Sequence, residues 1–305
     1  MARLGDMFGA AGGGTFLGLP SGEIGEVGTG AAIIGADRAT PYASVGAYCA
    51  GAPALLRAGS ADYASNAHHV NFDLGRGGAP DAVDCGDLDL PEDDPAACRR
   101  IIAEATRTVR AQGAALVLLG GDDSVQIPML EALGGPLHIV QIDAHIDWRD
   151  EVDGERMGLS STQRRASEMA HVSGITLVGQ RGIGSARQED LDAARDWGAT
   201  LVPAREIAQG GVGRAVASVP EGARVAVCLD FDGLDPSVVG AVIAPTPGGL
   251  SHWDVVELVE GIAAKAQIVA LGAVELMPSA DVAGRGAGAA AALLTTLLGI
   301  VAPPR

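Results

Sequence analysis

Short, nearly continuous apolar runs alternate with longer amphipathic stretches along most of this chain. The runs at 31–36, 82–85, 115–119, 137–142, 175–179, 199–202, 224–229 and 267–273 predict eight strands, and runs as apolar as 115–119 are buried on both faces. Between them, 95–112 sets apolar residues at helical spacing against a charged face. Segment 251–264 opens on Ser251, a good N-cap, and carries Glu257 and Glu260 on its polar side. The stretch 286–301 reads as a small-residue helix, whose Ala and Gly imply close packing on the body of the domain. Residues 1–30 are Gly-rich and aperiodic, and read as an arm or loop over a neighbour or an active site. No linker or repeat divides the remainder. The expectation is one α/β domain over 31–305, with a central parallel eight-stranded sheet between two helical layers.

In an open parallel sheet, ligands bind beyond the carboxyl ends of the strands. Three strand ends carry unusual polarity. Strand 115–119 runs into GGDDS at 120–124, strand 137–142 into DAHID at 143–147, and strand 224–229 into DFDGLDP at 230–236. Were the backbone to stay extended, Asp143, His145 and Asp147 would project to one side, and so would Asp230 and Asp232. Burying so many carboxylates without a cation costs several kcal/mol for each unpaired charge. A metal removes that cost, and oxygen-rich ligation with one imidazole suits Mn²⁺ or a similar first-row ion. Each motif alone could be an ordinary turn or cap. Their recurrence at three ends of one sheet points to a metal centre.

Composition narrows the partners. Of 305 residues, 48% are hydrophobic, enough for a large core. A formal charge of −17 argues against nucleic-acid binding and is compatible with a small cationic substrate. Cys49, Cys85, Cys98 and Cys228 show no paired spacing and read as reduced thiols of a cytoplasmic protein. No run reaches the roughly 18 apolar residues of a membrane span, and the N-terminus lacks the layout of a signal peptide. His68, His69, His138, His171 and His252 read as packing or surface residues.

Taken in order, GGDDS, DAHID and DFDGLDP, followed by the Pro-Gly-Gly-Leu segment at 247–250 and the Val-Glu-Leu at 274–276, resemble the ureohydrolase family of arginases and agmatinases. The resemblance runs from about Ile33 to the C-terminus. It implies an arginase-like fold and two divalent ions, Mn²⁺ first and Ni²⁺ as the other candidate. By the same resemblance Asp143 and Asp230 bridge the ions, Asp147 binds the first only, and His145 and Asp232 bind the second. Glu275 matches the acid that holds the substrate's guanidinium. The implied reaction is attack of a metal-bridging hydroxide on the guanidinium carbon, releasing urea and an amine, with Asp147 or its neighbours relaying the proton. The family also implies a trimer or hexamer.

Two positions depart from the family pattern. Where the family has a ligating His, this chain has Asp123, whose oxygen has similar reach. Five carboxylates instead of four then surround the ions, which predicts a weaker acidification of water and a more alkaline activity profile. The loop after DAHID lacks the family's proton-shuttling His and offers Ser160, Ser161 and Thr162 as candidate substrate contacts. The stretch 241–246 is altered too, so the pocket should differ. The readings that follow are hydrolysis of a guanidino compound such as agmatine or guanidinobutyrate, the same chemistry on a biguanide or other substituted guanidine, or a silent subunit supporting a homologous active chain.

Overall fold

The computed structural model describes residues 14–28 and 30–304. In chain order it builds β1 (Ala31–Ala36), α1 (Ala52–Ser60), β2 (Ala82–Asp87), α2 (Pro95–Ala111), β3 (Ala115–Gly120), α3 (Gln126–Leu133) and β4 (Leu137–Ile142). There follow α4 (Thr162–Ser167), β5 (Val172–Val178), α5 (Gln188–Trp197), β6 (Thr200–Val202), α6 (Ala204–Gly210) and α7 (Gly213–Ser218). The chain ends with β7 (Arg224–Asp230), α8 (His252–Ala263), β8 (Gln267–Val274) and α9 (Arg285–Val301). All eight expected strands are present, and every pairing between them is parallel, in the order β2-β1-β3-β8-β7-β4-β5-β6.

Alternation of side chains along each strand divides the core in two. Ala31 and Ile33 of β1 face one layer with Leu56 of α1, Leu258 of α8 and Leu293 of α9. Ala32 and Ile34 face the other, with Ile102 of α2, Met129 of α3 and Ala194 of α5. Helices therefore cover both faces of the sheet, and the strands can be apolar throughout. α8 begins with a reciprocal cap in which Ser251 and Asp254 each satisfy the other's backbone N–H. β5 ends at Val178, one residue before the expected 179, because Gly179 turns out of the strand at φ 107°.

The described part of the Gly-rich stretch is docked. Phe16 and Leu17 are buried in the core, and the Phe16 N–H donates to the Asp84 carboxylate on β2. Residues 1–13 of that stretch lie outside the described residues. No helix among the described residues is long and apolar enough to cross a membrane.

What this topology does for chemistry is simple. The three motifs and Glu275 follow β3, β7, β4 and β8, which are the four consecutive strands β3-β8-β7-β4 at the middle of the sheet. Residues far apart in sequence are thereby delivered to one edge.

Candidate metal and active centre

Beyond the end of β3, Asp122 caps the turn Asp123–Val125, accepting from the Ser124 N–H at 3.0 Å and from the Ser124 hydroxyl. Its role is to shape the loop. Asp123, next to it, is buried and lines a cavity of about 240 Å³. Its N–H donates to Glu275 Oε1 at 2.8 Å, and its carbonyl accepts from the Thr162 hydroxyl at 3.2 Å. One carboxylate oxygen, Oδ1, accepts from the Gln126 amide. The other, Oδ2, is buried without a hydrogen-bond partner.

β4 delivers the second group by a turn. Asp147 sits at φ 45°, a conformation uncommon for a non-glycine residue, so the backbone leaves the extended course expected of 143–147. The side chains still converge. Gln141 Nε2 donates to Asp143 Oδ2 at 2.5 Å and to Asp147 Oδ2 at 2.7 Å. The Asp147 carbonyl accepts the N–H groups of Gln163 and Arg164, which fixes the turn against the start of α4. His145 Nδ1 lies 3.2 Å from Asp143 Oδ1 and 3.1 Å from Asp232 Oδ2.

From β7, Asp230 accepts the Asp232 N–H at 2.7 Å, and Asp232 accepts the Ala144 N–H at 3.1 Å. Asp235 is a loop builder. It accepts from Ser237 and from the N–H groups of Gly248 and Gly249, tying the Pro-Gly-Gly-Leu segment to the strand end. Those bonds, the Ser237 hydroxyl foremost, hold its carboxyl down at about 2. A β-carbon at Gly249 would stand 2.5 Å from the Asp235 nitrogen, so the contact needs glycine.

β8 contributes Glu275 at φ 69°, with Tyr48 donating its hydroxyl to Oε2 at 2.6 Å. Arg181 locks the whole rim. Its guanidinium donates to the carbonyls of Gly179, Asp232, Gly233, Leu234 and Thr246.

The electrostatics follow from burial. Asp122, Asp123, Asp143, Asp147, Asp230, Asp232 and Glu275 are all buried, and His145 is the basic side chain in hydrogen-bonding reach of them. Burial and then the Asp143 charge push Asp123 and Asp147 well above the usual carboxylate range. Burial, Asp232 and Asp143 do the same to Asp230. Burial and Asp122 raise Glu275 against the pull of the Tyr48 bond. Asp143 goes the other way, to about 2, because its bonds with His145 outweigh burial. Burial opposes the His145 cation, yet its contacts with Asp143 and Asp232 carry it to about 11.

This donor set fits divalent cations. Asp143, His145 and Asp232 bring one ligand atom each within 4.8 Å of one another, while Asp123, Asp147 and Asp230 line the same cavity as His145 and Asp232. The orphaned Asp123 Oδ2 and the excess of buried acid are the marks of a site that expects positive charge.

Of the three expected hydroxyl contacts, Ser160 lines the cavity. Ser161 and Thr162 do not. Both are fully buried, and Thr162 is committed to the Asp123 carbonyl. Leu159 stands at the cavity wall beside Ser160, and His145 is the imidazole among the lining residues. The other histidines are engaged elsewhere: His138 with Thr176, His171 with the Leu130 carbonyl, His252 with Asp73, and His68 edge-on against His69. All four cysteines are free thiols. Sequence reasoning overlooked Gln126, Gln141, Tyr48 and Arg181. The only signal for the two glutamines was their position, one turn after Asp123 and two residues before Asp143.

Comparison with known proteins places this geometry among relatives. The sequence profile of the arginase family matches residues 30–299. An N(1)-aminopropylagmatine ureohydrolase of Thermus thermophilus is 37% identical over 184 residues, covering 59% of this chain and 61% of that protein. The alignment thus spans about three-fifths of that relative's length. A formimidoylglutamase of Halobacterium salinarum is 32% identical over 239 residues, 76% of each chain. Among solved structures, the proclavaminate amidino hydrolase of Streptomyces clavuligerus superposes with a TM-score of 0.78 at 25% identity, covering 94% of this chain and 96% of that one.

Proposed function

Because this chain belongs to the arginase family, we propose that it is a two-metal amidinohydrolase that cleaves a carbon–nitrogen bond of a guanidino compound. The observation that supports this most is the convergence of Asp143 with His145 and Asp232, the latter two lining one cavity with Asp123, Asp147, Asp230 and Glu275. In the proposed arrangement Asp123, Asp143, Asp147 and Asp230 hold one ion, and Asp143, His145, Asp230 and Asp232 the other. Mn²⁺ is the ion best matched to so many hard oxygens, with Ni²⁺ second. When bound, such ions neutralise the carboxylates and acidify water, the nucleophile that hydrolysis needs.

The protein's own groups do the rest. Glu275 receives the guanidinium, its carboxylate held in plane by the Asp123 N–H and the Tyr48 hydroxyl. Trp148, Leu159 and Ile243 wall the cavity with apolar surface and limit bulk water. Asp147 is placed to pass a proton toward the leaving nitrogen, and Ser160 to touch the substrate's tail. With one more carboxylate than the family pattern, the rate should rise toward alkaline pH. A rate optimum near neutrality would remove that last point.

The test is metal per chain after loading with Mn²⁺ or Ni²⁺, then urea or amine release from agmatine, 4-guanidinobutyrate, 3-guanidinopropionate and a biguanide. Two ions and turnover of one of these compounds is the expected result. Two ions without turnover would favour a second reading, which the lack, among the described residues, of a lining imidazole besides His145 supports: a silent subunit completing a homologous active chain.

A further inference from the structure

Asp123 is an awkward ligand in one respect: it adds a negative charge to a pocket already crowded with acid. The chain carries a local answer. Gln126 follows it by three residues at the first position of α3, so the two side chains share a face. Gln126 is completely buried, and its Nε2 donates to Asp123 Oδ1. That bond occupies one carboxylate oxygen and leaves Oδ2, the oxygen without a partner, as the one free to bind. The amide fits because β8 has glycine at 272. A β-carbon there would collide with Gln126 Oε1 and press on the Met129 methyl at 3.4 Å. Above and below, the Asp123 backbone is pinned by Glu275 and Thr162. A single rotatable group is left, and Gln126 holds it.

Resting on the two-metal reading above, we propose that Gln126 is the positioning residue that makes Asp123 a one-oxygen metal ligand and offsets part of its added charge. Its N–H aims the carboxylate and withdraws electron density from the oxygen it touches, as a donor to a ligating carboxylate does. Gln141 serves Asp143 and Asp147 by the same device, from β4. Gln126 differs in acting on a single ligand, the one that departs from the family pattern. Its part in selecting one carboxylate oxygen should therefore vanish if that ligand became an imidazole, which coordinates through a single ring nitrogen.

The test is equilibrium dialysis against Mn²⁺ alone, with metal counted per chain, on full-length wild type, Gln126→Leu, Asp123→His and the Asp123→His/Gln126→Leu double variant. Wild type should hold two ions. Gln126→Leu should keep one and bind the other about 10–100-fold more weakly, the usual cost of losing such a partner. The double variant should bind like Asp123→His. Should Gln126→Leu lose its metal-free unfolding transition, Gln126→Glu is read in its place, since it keeps the volume and replaces the donor by an acceptor. Unchanged affinity for both ions in the Gln126 variant overturns the proposal alone. So does a double variant as impaired as Gln126→Leu, because it would make the glutamine a packing residue. Wild type holding no ion overturns the two-metal reading itself, and this proposal with it.

Discussion

Two clusters of buried charge lie on this sheet, and they are built on opposite principles. At the outer edge, Asp84 of β2 receives four donors: Arg57 Nε at 2.8 Å and Nη2 at 2.9 Å, the Phe16 N–H at 2.6 Å and the Gly86 N–H at 2.9 Å. Both its oxygens are used, and the cation is part of the chain. At the centre, Asp123 keeps a bare oxygen, and seven acids share one imidazole. The contrast shows in protonation. Burial pushes Asp84 up, but the Arg57 guanidinium and two backbone donors hold it below its ordinary value. Asp123, Asp147 and Asp230 are driven far above theirs. A buried acid with its own cation is architecture, whereas one without is a socket.

The comparison can be broken first at Arg57. Arg57→Leu would strand Asp84 in the core, and chemical denaturation should record a loss of about 3–5 kcal/mol. A loss under about 1 kcal/mol would mean the edge cluster is no better satisfied than the centre. Next comes metal. Mn²⁺ at about 100 times its dissociation constant should stabilise the wild type by about 2.7 kcal/mol for each ion bound, and Asp143→Ala should abolish the gain. The same addition to the Arg57 variant should give the wild-type gain, since that cluster holds no ion site.

A smaller effect sharpens the contrast in sign. In metal-free protein at pH 7, Asp230→Asn removes a buried acid whose ionisation the fold opposes and should stabilise by about 1–3 kcal/mol, while Asp84→Asn destabilises. If both substitutions destabilise, the central acids are already satisfied by something inside the chain. The smallest effect is the pH response of Asp84. Its folded pKa is lowered, so its contribution is present above the ordinary value of 3.8 and is lost as pH falls through the lowered one. The stability gap between wild type and Asp84→Asn should hold from pH 7 to about 5 and close on further acidification. A gap that widens in acid would reverse the assignment.

How far the sequence disclosed this is clearest residue by residue. The central strands were legible because both of their faces are apolar, and the order of motifs placed the acids at strand ends. α3 was not legible, because a short helix buried on nearly every side has no polar stripe to mark it. The clustering of Asp143 and Asp147 was expected from an extended backbone and is achieved by a left-handed turn instead. Alternation predicts direction only while a strand continues, and β4 stops at Ile142. Ser161 and Thr162 look like pocket residues because they are polar, yet burial assigns them to the wall behind it. Gln126 and Tyr48 act through contacts between segments remote in sequence or on one helical turn, which no one-dimensional pattern displays.

The strand order has a consequence for how the protein comes into being. β8 is the last of the eight strands in the chain, yet it lies between β3 and β7. While the chain is being synthesised, β2-β1-β3 and β7-β4-β5-β6 can form only as two separate sheets, each with an open flank where β8 will insert. Until residues 267–276 leave the ribosome, Asp123 belongs to one half and Asp143, His145 and Asp230 to the other. A chain lacking those residues therefore carries the acids on two groups of strands that β8 does not join, with the flanks of β3 and β7 unpaired. Insertion of one late strand completes the sheet and brings the acids of the two halves to one edge together.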